Sequence, residues 1–348
     1  MSLAESASSV DGAFDSIPVI DLANFSTSEG KAALAHQIRD ACMRVGFFYI
    51  SNHGIPEECI SNVLAVMKDY FSLPDETKMK LYHKSVANFK GYSPLLDANI
   101  EPGNRGDLHE GFEIGWEELE AKANDEKRAN DGAMAGGNMW PQEPAGFREA
   151  VLNYYHAACA VGKALFPLFA LALDLPENYF DDKVQSLRSS LGRIIQGTFA
   201  LQTKNSAAIM RAIHYPPQTG PVDDRVVGVG AHTDFECFTI LWQQPGIQAL
   251  QVMNSKKQWI NAPPVPGTLV INIGDQFALW TNDVFKSTVH RAVNRNSVRR
   301  YSIPLFFGTD YHVNIEPIPS CISSDRPAKY TPITAGDYVN KRLKEMYH

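Results

Sequence analysis

The sequence predicts an α+β fold, mainly β, with a helix-rich N-terminal half packed on a C-terminal jelly roll. Three observations carry this expectation. Before about residue 205, apolar residues recur at helical spacing in several windows. From residue 206 the texture becomes short β-branched and aromatic runs separated by Pro/Gly/Asp/Asn turns, the pattern of a sandwich, barrel or jelly roll. No long linker separates the halves, so one cooperative unit is expected. The 44% hydrophobic and 10% aromatic content of the 348 residues suffices for a sizeable core and excludes wholesale disorder.

Residues 1–14 are Ser/Ala/Asp-rich, lack the basic and apolar parts of a targeting segment, and read as a disordered lead-in. IPVID (17–21) is a short strand, and residues 30–45 place Ala33, Ile38, Ala41, Cys42 and Val45 on one helical face. GFFYISNHGIP (46–56) is a buried strand that ends in the turn Asn52-His53-Gly54. Helices are predicted over 57–72 and 149–173, the second stopped by Pro176. Between them, 121–137 is polar and Gly-rich and reads as an exposed loop. The mixed N-terminal region thus spans 15–205. Within 206–312 the strand runs are AIMRAIHY, RVVGVGAH, CFTILW, IQALQVM, QWINA, TLVINI, FALWT, VHRAV and YSIPLFF, and 313–348 is a C-terminal extension with a helix.

Asp and Glu number 39 against 32 Lys and Arg, a net charge of -7. That argues against non-specific nucleic-acid binding while leaving room for a local basic pocket. Five scattered cysteines without a Cys-x-x-Cys pair fit reduced thiols better than a disulfide framework or a thiolate zinc site. The longest apolar stretch, 164–173, contains Pro167 and has ten residues, against about 18 for a membrane span. The expected setting is cytoplasmic, with a small-molecule partner, no nucleic acid and no membrane.

Among ten histidines one arrangement stands out: His232-Thr233-Asp234, followed by His290-Arg291. His232 and Asp234 are two apart and share a face of an extended segment, and the 55 residues before His290 hold enough strands to bring it back beside them. Two imidazoles and a carboxylate on one face of a metal make the facial triad of non-haem Fe(II) oxygenases, although zinc accepts the same set. Ten residues on, Arg300-Tyr301-Ser302 puts a guanidinium and a hydroxyl on one strand face, a carboxylate clamp or a solvated basic edge. Upstream, Arg211, Ile213 and Tyr215 share a face, with Tyr215 a further hydroxyl and His214 turned away as a structural residue.

In this order the elements resemble the iron(II)/2-oxoglutarate-dependent dioxygenases, in their isopenicillin N synthase-like branch. The likeness covers nearly the whole chain: IPVIDL, GFFYISNHGIP and FSLPDETKMKL, then MWP, PAGFR and LALDLPENYF, then HYPPQ, GAHTDFECFTIL, VINIGDQFALWTND, KSTVHRAV and RRYSIPLFF. It implies a double-stranded β-helix core flanked by N-terminal helices, with His232, Asp234 and His290 as ligands of Fe(II) and no catalytic residue beyond them. Arg300 and Ser302 match the residues that hold the distal carboxylate of 2-oxoglutarate, and Tyr215 matches an assisting tyrosine. The implied reaction consumes 2-oxoglutarate and O2 and releases succinate and CO2. It hydroxylates, desaturates or cyclises a small organic metabolite of secondary metabolism, with ascorbate helpful in vitro. Halogenases of this type lack the carboxylate, so Asp234 points away from halogenation. One departure is an added segment over 182–207, read as an extra helix or loop near the pocket mouth.

For the substrate, Phe235, Leu241, Trp280, Phe306 and the Leu95-Leu96 segment are candidate apolar walls, and Arg105 and Glu113 candidate partners of a polar group. Core packing and a surface ion pair are the plain alternatives. Three rival functions stay open on sequence alone. They are a 2-oxoglutarate-independent Fe(II) oxidase or cyclase of the isopenicillin N synthase type, a non-enzymatic jelly-roll binding module, and a zinc hydrolase.

Overall fold

A computed structural model describes residues 3–10, 12–86, 88–101, 104–119, 136–184, 208–218, 227–295 and 297–347. Most of the predicted 121–137 loop and nearly all of the added 182–207 segment lie outside them. The lead-in is corrected: α1 (Leu3–Ser9) is helical and buries Leu3 in the main core near the turn Pro319–Cys321. α2 (Ser28–Arg44) opens on Thr27, whose hydroxyl accepts the Gly30 N–H at 3.0 Å, and buries Leu34, Ala35, Ile38, Ala41 and Cys42. It ends at Gly46, whose φ of 74° lets its N–H reach Ala41 O at 2.9 Å. α3 (Glu57–Phe71) and the short α4 (Asp75–Lys78) follow. α5 (Phe147–Ala172) is long and apolar enough to cross a membrane, yet it lies inside the protein against α2 and α3.

Strands β1 (Val19–Asp21), β2 (Phe47–Ser51), β3 (Gly91–Ser93) and β4 (Glu110–Ile114) precede α5. After it come β5 (Ile209–Tyr215), β6 (Val229–His232), β7 (Phe238–Gln243), β8 (Leu250–Met253), β9 (Trp259–Asn261) and β10 (Thr268–Ile273). α6 (Asp275–Trp280), β11 (His290–Ala292), β12 (Arg300–Phe307), the pair β13 (Asn314–Ile315) and β14 (Ile333–Thr334), and α7 (Ala335–Tyr347) complete the chain. An eight-stranded sheet has the order β1-β2-β10-β7-β12-β5-β4-β3, and a four-stranded sheet the order β6-β11-β8-β9. β1 to β4 therefore extend both edges of the large sheet, and the N-terminal region is built into the core instead of packing on it. One face of the large sheet carries α5, where Gly162 makes room for the Phe307 ring; the other faces the small sheet across a cavity.

FALWT, expected as a strand, is the helix α6. The Gly274 and Asp275 N–H groups donate to Cys237 O and Asp234 O, both at 2.8 Å, and turn the chain off the sheet. Phe277, Ala278 and Trp280 then fall on a buried helical face.

A buried polar network ties β3, β4 and β5 to α4. Glu110 accepts from Lys78 Nζ at 2.6 Å and Tyr92 OH at 2.6 Å, and His214 Nδ1 lies 2.7 Å from its other oxygen. His214 also stacks on Tyr301, so it is structural, as expected. Burial alone would raise the Glu110 carboxyl, but the bonds from His214, Lys78 and Tyr92 outweigh it and hold it below the usual Glu value. Because the folded value is depressed, the stabilisation is present above the unfolded Glu value and is lost as pH falls through the folded one. Glu110→Ala is expected to cost about 3–5 kcal/mol in urea unfolding at neutral pH, with the gap to wild type narrowing in acid. A gap that stays constant into acid would contradict this account.

Candidate metal centre

His232 and His290 are direct cross-strand partners in the antiparallel β6–β11 pair, with ring centroids 4.3 Å apart. Asp234 lies just past the end of β6, and its Oδ1 is 3.4 Å from His232 Nε2 and 3.8 Å from His290 Nε2. One ligand atom from each residue falls within 4.8 Å of the others. The ring orientations follow from the backbone. His232 Nδ1 is 2.8 Å from Gly230 O and His290 Nδ1 is 3.1 Å from Thr288 O. A carbonyl only accepts, so each Nδ1 carries a proton, and each Nε2 faces Asp234.

The carboxylate is oriented from the opposite sheet. Thr239 of β7 and Asn272 of β10 both donate to Asp234 Oδ2, Asn272 at 2.7 Å, which leaves Oδ1 for the imidazole side. Burial would raise the Asp234 carboxyl, but His290, His232 and Thr239 outweigh it and hold it well below the usual carboxylate range. Burial and the neighbouring His232 bring the His290 imidazole down to about 4. An ionised carboxylate beside two Nε2 atoms, with one side open to a cavity, fits a divalent cation that keeps exchangeable positions and takes the place of any proton on Nε2. Asn272→Leu leaves His232, Asp234 and His290 in place but removes one of the two donors that hold the carboxylate, and Fe(II) affinity is expected to fall roughly 10–100-fold in a titration.

Arg300 of β12 is 1% exposed, yet no carboxylate pairs with it among the described residues. Nη2 donates to Gln243 at 3.2 Å, the guanidinium carbon lies 4.6 Å over the Tyr215 ring, and Nε and Nη1 have no hydrogen-bond partner. Ser302 Oγ donates to Tyr215 OH at 3.3 Å. A buried cation with open donors, flanked by two hydroxyls, fits an anionic ligand. Arg300, Ser302, Tyr215, His232, Asp234 and His290 all line one cavity of about 190 Å³.

Phe235, Leu241, Phe306 and Glu113 all line this cavity. It does not include Trp280, which is buried in the core against Phe180 and Phe277, because α6 directs it away from the large sheet's inner face. Arg105 is exposed and outside the lining, and Leu95 and Leu96 are 43% and 49% exposed on the loop before β4. Thr239, Asn272 and Gln243 were not picked out from sequence as site residues. Their signal is a polar residue at an inward position of an apolar strand, FTILWQ or TLVINI, which must find a buried partner.

Asp275 ties the C-terminal helix to this centre. It accepts from Thr233, Ser287, Tyr338 and Arg342, and α7 in turn adds Val339 and Leu343 to the cavity wall.

Residues 17–143 match the family profile described as non-haem dioxygenase in morphine synthesis N-terminal, and residues 206–309 match the 2OG-Fe(II) oxygenase superfamily. Over 339 residues the chain is 36% identical to a 2-oxoglutarate-Fe(II) type oxidoreductase, hxnY, of Emericella nidulans, covering 95% of this chain and 90% of that protein. Identity to a homoarginine-6-hydroxylase of Glycine max is 32%, over 88% of this chain and 89% of that protein. A full-length Neurospora crassa protein, solved in complex with alpha-KG, superposes with a TM-score of 0.78 at 28% identity, covering 94% of this chain and 96% of that one.

Proposed function

The chain belongs to the 2OG-Fe(II) oxygenase superfamily, and we propose that His232, Asp234 and His290 are its iron ligands and that Arg300, with Ser302 and Tyr215, seats the distal carboxylate of 2-oxoglutarate. The protein is an Fe(II)/2-oxoglutarate-dependent oxidoreductase acting on small metabolites. The two sheets facing each other across the cavity support the finer fold reading, a double-stranded β-helix flanked by N-terminal helices. Five free thiols support a cytoplasmic setting.

The observation that carries the site assignment is the guanidinium of Arg300, without a carboxylate partner among the described residues, in the same cavity as three converging donor atoms. When bound, Fe(II) with 2-oxoglutarate and O2 supplies the oxidising chemistry, with succinate and CO2 as co-products. The chain's own residues do the positioning. Thr239 and Asn272 hold the Asp234 carboxylate, and backbone carbonyls fix the two imidazoles. Arg300 neutralises a carboxylate in a place water does not serve, and Ser302 and Tyr215 offer hydroxyls to its oxygens. Phe235, Leu241 and Phe306 keep the remaining space apolar, so that a substrate C–H is held against the open side of the triad. Which C–H faces that side decides between hydroxylation, desaturation and ring closure.

Anaerobic addition of Fe(II) and 2-oxoglutarate is expected to produce a metal-to-ligand charge-transfer band. Admitting O2 with ascorbate and a substrate panel is expected to release succinate. A protein that binds Fe(II) and 2-oxoglutarate without this band would refute the chelate reading.

A further inference from the structure

The same cavity carries a charged pair that the positioning chemistry leaves unused. In the antiparallel β4–β5 pair Glu113 stands opposite Arg211, with Nε 3.0 Å from Oε1 and side chains only 11% and 15% exposed. Both line the cavity. Its seat is built by Gly111, which shares the inner face of β4 with Glu113: a Cβ there would lie 2.8 Å from Arg211 Nε. Beside it, His109 Nδ1 is 2.7 Å from Gly228 O, and burial together with the Arg211 charge brings its imidazole down to about 3, so His109 itself is uncharged at neutral pH.

Position along the strand separates this pair from the co-substrate clamp. Tyr215, Ile213, Arg211 and Ile209 alternate onto the cavity face of β5, with Tyr215 opposite Arg300 and Ile213 opposite Ser302. Arg211 is therefore about 13 Å along the strand from Tyr215, at roughly 3.3 Å per residue. Phe89, Ile209 and Phe306 add apolar wall to the same cavity. The β4–β5 ladder already joins the strands, and an apolar pair would close this wall without the desolvation cost of two charges.

We propose that Arg211 and Glu113 recognise the substrate together, Arg211 donating to a carbonyl oxygen and Glu113 accepting from the adjacent N–H. The substrate class is then an uncharged molecule with an amide-type edge: a lactam, imide or ureide. The pair is net neutral. A cation competes with Arg211 for Glu113 and an anion competes with Glu113 for Arg211, whereas an H–N–C=O edge engages both without separating them. The proposal rests on the oxygenase reading of the cavity.

The test uses the full chain with Fe(II) and 2-oxoglutarate, without O2. The charge-transfer band reports the metal centre. Calorimetry with three ring probes reports the pair, and is scored whether or not the band forms. The probes are 3,4-dihydro-2-quinolinone, its N-methyl derivative, which lacks the N–H, and 1,2,3,4-tetrahydroisoquinolinium, a cation. The lactam is expected to bind at least about tenfold tighter than either of the others. In Arg211→Met/Glu113→Leu that ratio is expected to fall below about twofold. No lactam binding, equal binding of lactam and N-methyl lactam, preference for the cation, or a ratio that survives the double replacement overturns the proposal. The wild-type ratios decide the matter even where the double variant is unstable.

Discussion

Replacing Arg300 by Met is expected to move two properties in opposite directions: 2-oxoglutarate affinity collapses while the protein without co-substrate becomes more stable. The guanidinium is 1% exposed, with two nitrogens that meet no acceptor among the described residues. Such a charge is a burden on the fold until an anion arrives. An apolar side chain of similar length removes the burden, and a gain of about 1–4 kcal/mol in urea unfolding is in the range seen when buried charged groups are replaced by well-packed apolar ones. Removing one side of a buried charge-assisted contact costs about 2–5 kcal/mol, so affinity should fall by roughly 30- to 4,000-fold. Calorimetry and equilibrium unfolding on the same preparations read both. Unchanged 2-oxoglutarate affinity would show that the clamp is assigned to the wrong residue. A stability loss would mean that Arg300 is a structural cation.

Asp234→Ala and Asp234→Asn are expected to lose Fe(II) binding and to bring succinate release to background. The fall should exceed the roughly 10–100-fold expected for the orienting residue Asn272. Asn is the sharper variant. It preserves the shape of a side chain that Thr239 and Asn272 hold, but removes the negative charge that faces both imidazoles. If either variant takes up Fe(II) normally and produces succinate, the three-residue centre is wrongly composed. Neither Fe(II) titration nor succinate release depends on knowing the natural substrate, since 2-oxoglutarate turnover can be read in its absence.

Part of this was legible in the chain. The His232-x-Asp234 spacing set an imidazole and a carboxylate on one side of an extended segment, and the alternation of Arg300 with Ser302 set a guanidinium and a hydroxyl on one strand face, because side-chain direction in a strand has a period of two. The structure bears out that alternation along β5 and β12. The errors have equally specific causes. FALWT has strand-like composition, yet backbone bonds from Gly274 and Asp275 to Cys237 and Asp234 wind it into α6 and carry Trp280 into the core. Leu95 and Leu96 are apolar but occupy an exposed loop, and apolarity alone does not state a side. The lead-in looked disordered by composition, but Leu3 finds core surface supplied by distant residues.

By itself the sequence determined what is local: most of the helices and strands, which residue types carry the chemistry, and which side of a strand they take. Local backbone geometry and hydrophobic periodicity are properties of a few neighbouring residues, so they can be read in order along the chain. Only the tertiary structure decided which strands meet. Pairing places His290 beside His232, sets Thr239 and Asn272 on the Asp234 carboxylate, and turns Glu113 toward Arg211 across the β4–β5 ladder. Those partners are separated by as many as 98 positions, and their meeting depends on the register of strands in two sheets that close over one cavity. The donor set was written in the residues, and its completeness was a consequence of the fold.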